Sequence, residues 1–451
     1  MEPQDTFTAL STPHGESALG VIRCSGSLCT KLIHSIFGND SPTPRNAYYA
    51  VYRDTAGNFL DQVVYSYFEK DASYTGDPML EISCHGNPYI LQHVLEDLLK
   101  RGCRPALPGE FTQTAFLNGK LDLSQAEAVI DLIKARTELS FKAASNQLQG
   151  SLSRRINLLV ENLLQIVAEI EAYIDFPEED LPDEGENAPR QKIERLSEQI
   201  RSLSETAQTG IFLREGVKAI IIGEPNAGKS SLMNCLLGES RAIVSDQPGT
   251  TRDYIEASFF VEPYRINIIE TAGIHDTDDS IEKEGIHKTL EQITLCDIIL
   301  LTIDSSSPPP LFDSNVSKLL IPEKTIVINN KADLPAHATQ NGQFTGYRKV
   351  QVSATEQTGI DDLRISIADL LGKTNISNQG DVVAVSVRHH SALETARNEL
   401  NTASNLLLND EPAELVANHL REAMTNLEAI VGRIDNDRML DKLFASFCIG
   451  K

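Results

Sequence analysis

Tryptophan is absent from this 451-residue chain, and cysteine is sparse. No apolar run approaches the ~18 residues a membrane span needs, so no membrane association is expected. The cysteines, at positions 24, 29, 84, 103, 235, 296 and 448, form no C-x-x-C pair and are odd in number. That argues against a zinc site or a disulfide framework. Scattered free thiols fit a reducing compartment, so a cytoplasmic protein is expected. The opening MEPQDTF carries acid and no basic stretch leading into an apolar core, so no signal peptide is expected. Positive charge is also short: 40 Lys and Arg face 64 Asp and Glu, a formal net charge of −24. Such a field opposes nonspecific binding of nucleic acid. Any nucleic acid would need a local basic patch or a partner that holds most of it. No short-period repeat is evident. The length allows roughly three domains.

What is present centres on Gly223 to Ser231, GEPNAGKSS. The apolar run Val217 to Ile222 before it reads as a buried strand, and Leu232 to Leu237 after it as a helix ending at Gly238. Strand, Gly-rich loop and helix together make G-x-x-x-x-G-K-S a phosphate-binding loop. Amides around Asn226, Ala227 and Gly228 face the phosphates, Lys229 reaches the outer ones, and Ser230 with Ser231 opens the helix. The Ser230 hydroxyl takes a Mg²⁺ position.

Further motifs follow in order. Ser245, Asp246 and Gln247, then Pro248, Gly249, Thr250 and Thr251, lie where a mobile loop covers the phosphates. Glu270, Thr271, Ala272 and Gly273 occupy the second metal motif, with Glu where Asp is usual. Asn330, Lys331 and Asp333 form NKxD after an interior strand. A single carboxylate at Asp333 can pair with both the ring N–H and the amine of guanine, a donor pair adenine lacks. Ser353, Ala354 and Thr355 fit a loop that closes over the base. The order describes a guanine-nucleotide-binding domain.

Around it the pattern changes. Residues 1–118 mix short strands with a helix over Pro88–Leu99 and read as an α+β domain. Residues 119–215 read as helical: Ser124 with Glu127 has the form of a capping box, a long amphipathic stretch spans Leu152–Ile174, and another helix covers about 188–209. Residues 216–378 alternate strand and helix, as a mostly parallel, doubly wound α/β P-loop domain does, and 379–451 are helical again. An insertion of the nucleotide domain into an all-α domain is the simplest arrangement.

On GEPNAGKSS, DQPGTTRD, NKAD, the segment PGEFTQTAFLNGKLDLSQAEAVIDLIKART and the terminal FCIGK, the chain resembles the MnmE (TrmE) family of tRNA modification GTPases over nearly its whole length. The resemblance implies a homodimer whose N-terminal domain binds folate and dimerises. It implies a GTPase activated by K⁺, with Asn226, Ser245, Gln247 and Thr250 as potassium ligands, Ser230 and Thr251 on Mg²⁺, and Glu282 as the catalytic acid that orients water. Arg23, Glu81, Lys120 and Lys451 match the positions that bind a 5,10-methylene- or 5-formyl-type tetrahydrofolate, and Cys448 matches a cysteine required for modification. The implied reaction places a carboxymethylaminomethyl or aminomethyl-type group on C5 of the wobble uridine. The FAD-dependent flavoprotein MnmG (GidA) is the implied partner. Thr114 stands where the family has Arg, and Asn87 where it has Gly. From the residues alone a ribosome-assembly GTPase, a GTP-gated scaffold and a folate-dependent transferase regulated by GTP stay open.

Overall fold

The computed structural model describes residues 5–175, 188–238, 255–270, 290–308, 310, 312, 314–337, 344–372, 385–432, 440, 443–445, 447 and 450. Its elements run β1 (Phe7–Leu10), β2 (Ser17–Ser25), α1 (Cys29–Phe37), β3 (Ala47–Arg53), β4 (Phe59–Phe68), β5 (Met79–Gly86), α2 (Pro88–Lys100), β6 (Arg104–Pro105), α3 (Glu110–Leu117), α4 (Leu123–Lys134), α5 (Glu138–Leu148) and α6 (Ser151–Asp175). Then come α7 (Ala188–Ser204), α8 (Ala207–Glu215), β7 (Val217–Ile222), α9 (Lys229–Leu237), β8 (Ile255–Val261), β9 (Tyr264–Glu270), β10 (Ile298–Asp304), α10 (Ser314–Leu319), β11 (Thr325–Asn330), β12 (Arg348–Gln351), α11 (Ile360–Leu371), α12 (Val387–Leu408) and α13 (Ala413–Val431). The chain forms two compact units, one of residues 1–130, 147–196 and 398–451, the other of 131–146 and 197–397.

In the first unit, β3-β4-β5-β2-β1-β6 make one sheet, antiparallel except where β1 meets β6. Strand β4 alternates buried Val63 and Tyr65 with exposed Gln62 and Val64, the period of a sheet covered on one face. That face packs on Ile33, Val94 and Leu98 from α1 and α2. Asn87 caps α2, its side chain accepting from the N–H groups of Tyr89 and Ile90. This gives the residue a use that Gly could not serve. Helix α6 buries Ile156, Leu159, Leu163, Val167 and Ile170, the stripe its periodicity predicts, and packs on α13. Cysteines far apart in sequence meet in the sheet core: Cys24, Cys29, Cys84 and Cys103 are all buried there. Burial pushes the Cys84 thiol up to about 12, so it stays protonated and serves as a small hydrophobe.

The predicted box of Ser124 and Glu127 is not what starts α4. Gln125 N–H donates to Asp122 Oδ1 (2.9 Å) and the Asp122 N–H donates to Gln125 Oε1 (3.0 Å), so the reciprocal cap lies two residues earlier. Ser124 is inside the helix and fully buried, bonded to Asp122 and Ser153. The single helix expected over 188–209 is two, α7 and α8. Thr206 donates its hydroxyl to the Leu203 carbonyl, a local bond that competes with helix continuation.

A buried carboxylate fixes the N-terminal core. Asp97, 2% exposed, accepts from Tyr52 Oη (3.0 Å), Thr55 N–H (2.8 Å) and Arg101 Nε (2.6 Å). Burial and the Asp97 charge push the Tyr52 phenol well up. Asp97→Ala would leave the Tyr52 phenol and the Thr55 N–H without this acceptor and Arg101 without its counter-charge, and should cost about 3 kcal/mol, read as a lower urea midpoint at unchanged slope.

In the second unit the order is β12-β11-β10-β7-β9-β8. All pairs are parallel except β8 with β9, an antiparallel hairpin. Both faces are covered, which is why β7 and β10 read as continuous apolar runs. Ile221 and Leu300 point to one core with Leu232, Leu236 and Leu363. Ile220, Ile222, Ile299 and Leu301 point to the other, with Val316 and Leu320. Each such side chain contributes about 1.5–3 kcal/mol by leaving water.

Candidate functional site

The carboxyl ends of the parallel strands gather the nucleotide motifs, as expected of an open α/β sheet. Strand β7 delivers the chain into the phosphate loop, and α9 leaves it. Asn226 has φ 63° and is exposed, and Gly228 has φ 89°. A Cβ on Gly228 would stand 2.2 Å from Asn330 Nδ2, so the position excludes any side chain. Asn330, 2% exposed, donates Nδ2 to the Ala227 carbonyl (2.9 Å) and accepts the Ala354 N–H on Oδ1 (3.2 Å). One buried amide thereby ties together the phosphate loop, the NKxD segment and the Ser353–Thr355 loop. Lys229 is 8% exposed, its ammonium donating to the carbonyls of Gly223 (3.2 Å) and Glu224 (2.9 Å). Ser230 and Ser231 are exposed at the head of α9. Asp333 accepts the Ser353 hydroxyl at 2.5 Å. The Cys235 thiol of α9 donates to the Ala354 carbonyl (3.1 Å), a further tie to the same loop.

Two residues that the motifs do not name belong to this site. Asp304, the last residue of β10, accepts the Lys331 ammonium at 2.7 Å. Burial works to raise its carboxyl, but the Lys331 and Ser306 donors outweigh it and hold it at about 2. Ser305 is buried and bonds to the carbonyls of Asn330 and Lys331. The signal that could have found both is position: they sit at the carboxyl end of an interior strand, where ligands of such sheets bind.

Glu270 ends β9, beside Ile221 in the parallel pair with β7. Ser245, Asp246, Gln247, Pro248, Gly249, Thr250, Thr251, Thr271, Ala272, Gly273 and Glu282 lie outside the described residues, as do Cys448 and Lys451.

In the first unit, Arg23 of β2 faces Glu81 of β5 in direct register, with Nε to Oε1 at 2.8 Å. Each is about one-quarter exposed, at 27% and 28%. The pair offers a cation and a carboxylate side by side, suited to a ligand with both an anionic and an amide–amine edge. Tyr74 adjoins it: burial raises its phenol, while the Thr112 hydroxyl at 2.9 Å and the Arg23 charge lower it. Lys120 donates its ammonium to the Asp71 carbonyl (2.7 Å), and Asn118 to that of Thr75 (2.8 Å). Thr75 bonds in turn to Ser25 (2.8 Å), two residues beyond Arg23 on β2. The motif 108–137 thus supplies a neighbour to this patch, and anchors itself with Glu110, buried and paired with Arg104.

The C-terminal segment reaches the same unit's sheet. Ser11 Oγ donates to the Gly450 carbonyl at 3.0 Å. The Ser11 N–H bonds to Val21, two residues from Arg23. Phe444 and Phe447 pack with Leu123, Ala126 and Ile130 of α4.

Comparison with known proteins matches both parts of the chain. The model described as GTP-binding protein TrmE N-terminus matches residues 6–120, and that of the MnmE helical domain matches 123–448. A tRNA modification GTPase MnmE of Opitutus terrae is 44% identical over 449 residues, with 99% of each chain covered. One of Aquifex aeolicus is 41% identical over 450 residues, covering 99% of this chain and all of that one. Among solved structures, the G domain of the T. maritima FeoB iron transporter aligns at 25% identity over 34% of this chain and 98% of that one, with a TM-score of 0.28.

Proposed function

This chain belongs to the MnmE family of tRNA modification GTPases and is a GTP hydrolase of tRNA modification, and on that premise we propose a potassium-activated cycle that serves one-carbon chemistry on the wobble uridine. In this reading residues 1–118 are the folate-binding domain, 119–215 and 379–451 the two helical parts, and 216–378 the inserted G domain. Asn226, Ser245, Gln247 and Thr250 take K⁺ between two closing G domains, and their oxygen donors suit an alkali cation. Ser230, exposed at the head of α9, and Thr251 supply hydroxyl oxygens to Mg²⁺. Glu282 orients the attacking water. The metals supply charge neutralisation on the transferring phosphoryl group.

In the other unit, Glu81 takes the amide–amine edge of a tetrahydrofolate derivative, with Arg23, Lys120 and Lys451 on its anionic parts, and Cys448 serves the transfer. The seating of Gly450 on Ser11 is the observation that carries this reading, since Ser11 is bonded to Val21 of β2, the strand that carries Arg23 opposite Glu81. A homodimer is supported by the sheet face turned away from α1 and α2, which exposes Leu19 (60%), Tyr49 (69%), Val51 (38%) and Val64 (40%). With a net charge of −24 the chain leaves most of the tRNA to the flavoprotein MnmG. The product carries an aminomethyl or carboxymethylaminomethyl-type group on C5. Among the described residues no helix is long and apolar enough to cross a membrane.

GTP turnover in KCl against NaCl tests the cycle. A rise of at least about tenfold in potassium is expected, as a cation placed on the phosphoryl charge should give. Asn226→Ala should remove that rise and leave guanine-nucleotide binding mostly intact. A flat response in the wild-type protein would overturn the potassium reading.

A further inference from the structure

The turn that closes β10 has no part in the nucleotide motifs, yet it holds one of them from two sides. Lys331 adopts φ 59°, a left-handed backbone that a side-chain-bearing residue keeps only where its surroundings impose it. The surroundings are Asp304, Ser305 and Ser306. Ser305 N–H donates to the Asn330 carbonyl (3.0 Å), and its hydroxyl lies 2.7 Å from that oxygen and 3.1 Å from the Lys331 carbonyl. Asp304 Oδ2 takes the Lys331 ammonium at 2.7 Å. Its other oxygen is held by the Ser306 N–H (2.9 Å) and hydroxyl (2.6 Å), so the carboxylate cannot rotate away. On the far side, Ala332 N–H bonds to the Val352 carbonyl (3.1 Å), joining the segment to the base loop.

We infer that Asp304, with Ser305, is a positioning residue for guanine-nucleotide affinity, acting through Lys331. It stretches the lysine stem across the site and fixes the ammonium before the base arrives. A free lysine would lose rotamer freedom on covering the base face, and that cost falls on binding. A lysine already held by Asp304 has lost it during folding. The effect belongs to the purine face and leaves phosphate chemistry alone. The inference rests on reading Asn330–Asp333 as the base site.

Asp304→Asn tests it in the full chain. The amide oxygen still accepts from Ser306, while the charge that grips Lys331 is gone. A fluorescent GDP analogue should bind about five- to tenfold more weakly, the range expected for one immobilised long side chain. KM for GTP in KCl should rise by the same factor and kcat should change less than twofold. Lys331→Met, which keeps the stem and loses the ammonium, should do the same, and the double variant should be no worse than either single one. Thermal melting of the nucleotide-free proteins reports any simple loss of fold. Wild-type affinity in Asp304→Asn, or full additivity in the double variant, would overturn the inference. Asp333→Asn serves as the control: should it bind GDP as the wild type does, the base-site reading fails instead.

Discussion

Asp333→Asn is expected to change the nucleotide this protein uses, raising KM for GTP by about 10²–10³-fold and making XTP a substrate. In the proposed base site the Asp333 carboxylate would accept two N–H groups from guanine. An amide there keeps one acceptor and turns a donor toward the exocyclic amine, so two donors meet. Losing a charge-assisted bond and leaving a donor unpaired sums to roughly 3–4 kcal/mol. Xanthine carries a carbonyl oxygen in place of that amine, so the same amide donates to it and still accepts the ring N–H. The Ser353 hydroxyl, now 2.5 Å from Asp333, can donate equally to the amide oxygen, so the side chain stays in place. Phosphate release with GTP and XTP over a range of concentrations reads the result. An unchanged preference for GTP would remove Asp333 from the base site.

The second large effect separates hydrolysis from tRNA chemistry. Gly450→Ala should bring modified nucleoside to background while GTP turnover stays within about twofold of wild type. Gly450 has φ 92°, and a Cβ there would stand 2.3 Å from the Leu10 carbonyl oxygen, a backbone atom that cannot swing aside. The chain end must lift, and with it the Ser11 hydroxyl loses its bond to the Gly450 carbonyl. The nucleotide loop lies in the other compact unit and keeps its own bonds. Cys448→Ser should give the same split without the steric change. Mass spectrometry of tRNA nucleosides and phosphate release, taken on the same preparations, measure both halves. Modification at wild-type level in Cys448→Ser would show the thiol to be dispensable. Modification at that level in Gly450→Ala would show that the seating on Leu10 does not matter.

The phosphate loop was legible because its signal is short. Strand, loop and helix lie within Val217–Leu237, and each is dictated by neighbours a few residues away. The same is true of the apolar stripe of α6, which a 3.6-residue period exposes directly. The start of α4 lies two residues before the one its sequence suggests, because Asp122-x-x-Gln125 and Ser124-x-x-Glu127 are equally good caps on paper. What separated them was burial: Ser124 meets Ser153 in the interior, a contact 29 residues distant. The break at Thr206 is not legible in the sequence, because a hydroxyl competing for a carbonyl leaves no mark in periodicity.

From the sequence alone came the G-domain motifs, their order, the alternation of strand and helix around them, and the family resemblance. Each rests on residues close in the chain or on a pattern repeated at fixed spacing. Tertiary structure alone decided that Arg23 meets Glu81, that Asp304 grips Lys331, and that Ser11 meets Gly450, pairs separated by 58, 27 and 439 residues. Such pairs depend on strand register and on where the chain returns. Both are set by the packing of whole elements, and no local spacing records them.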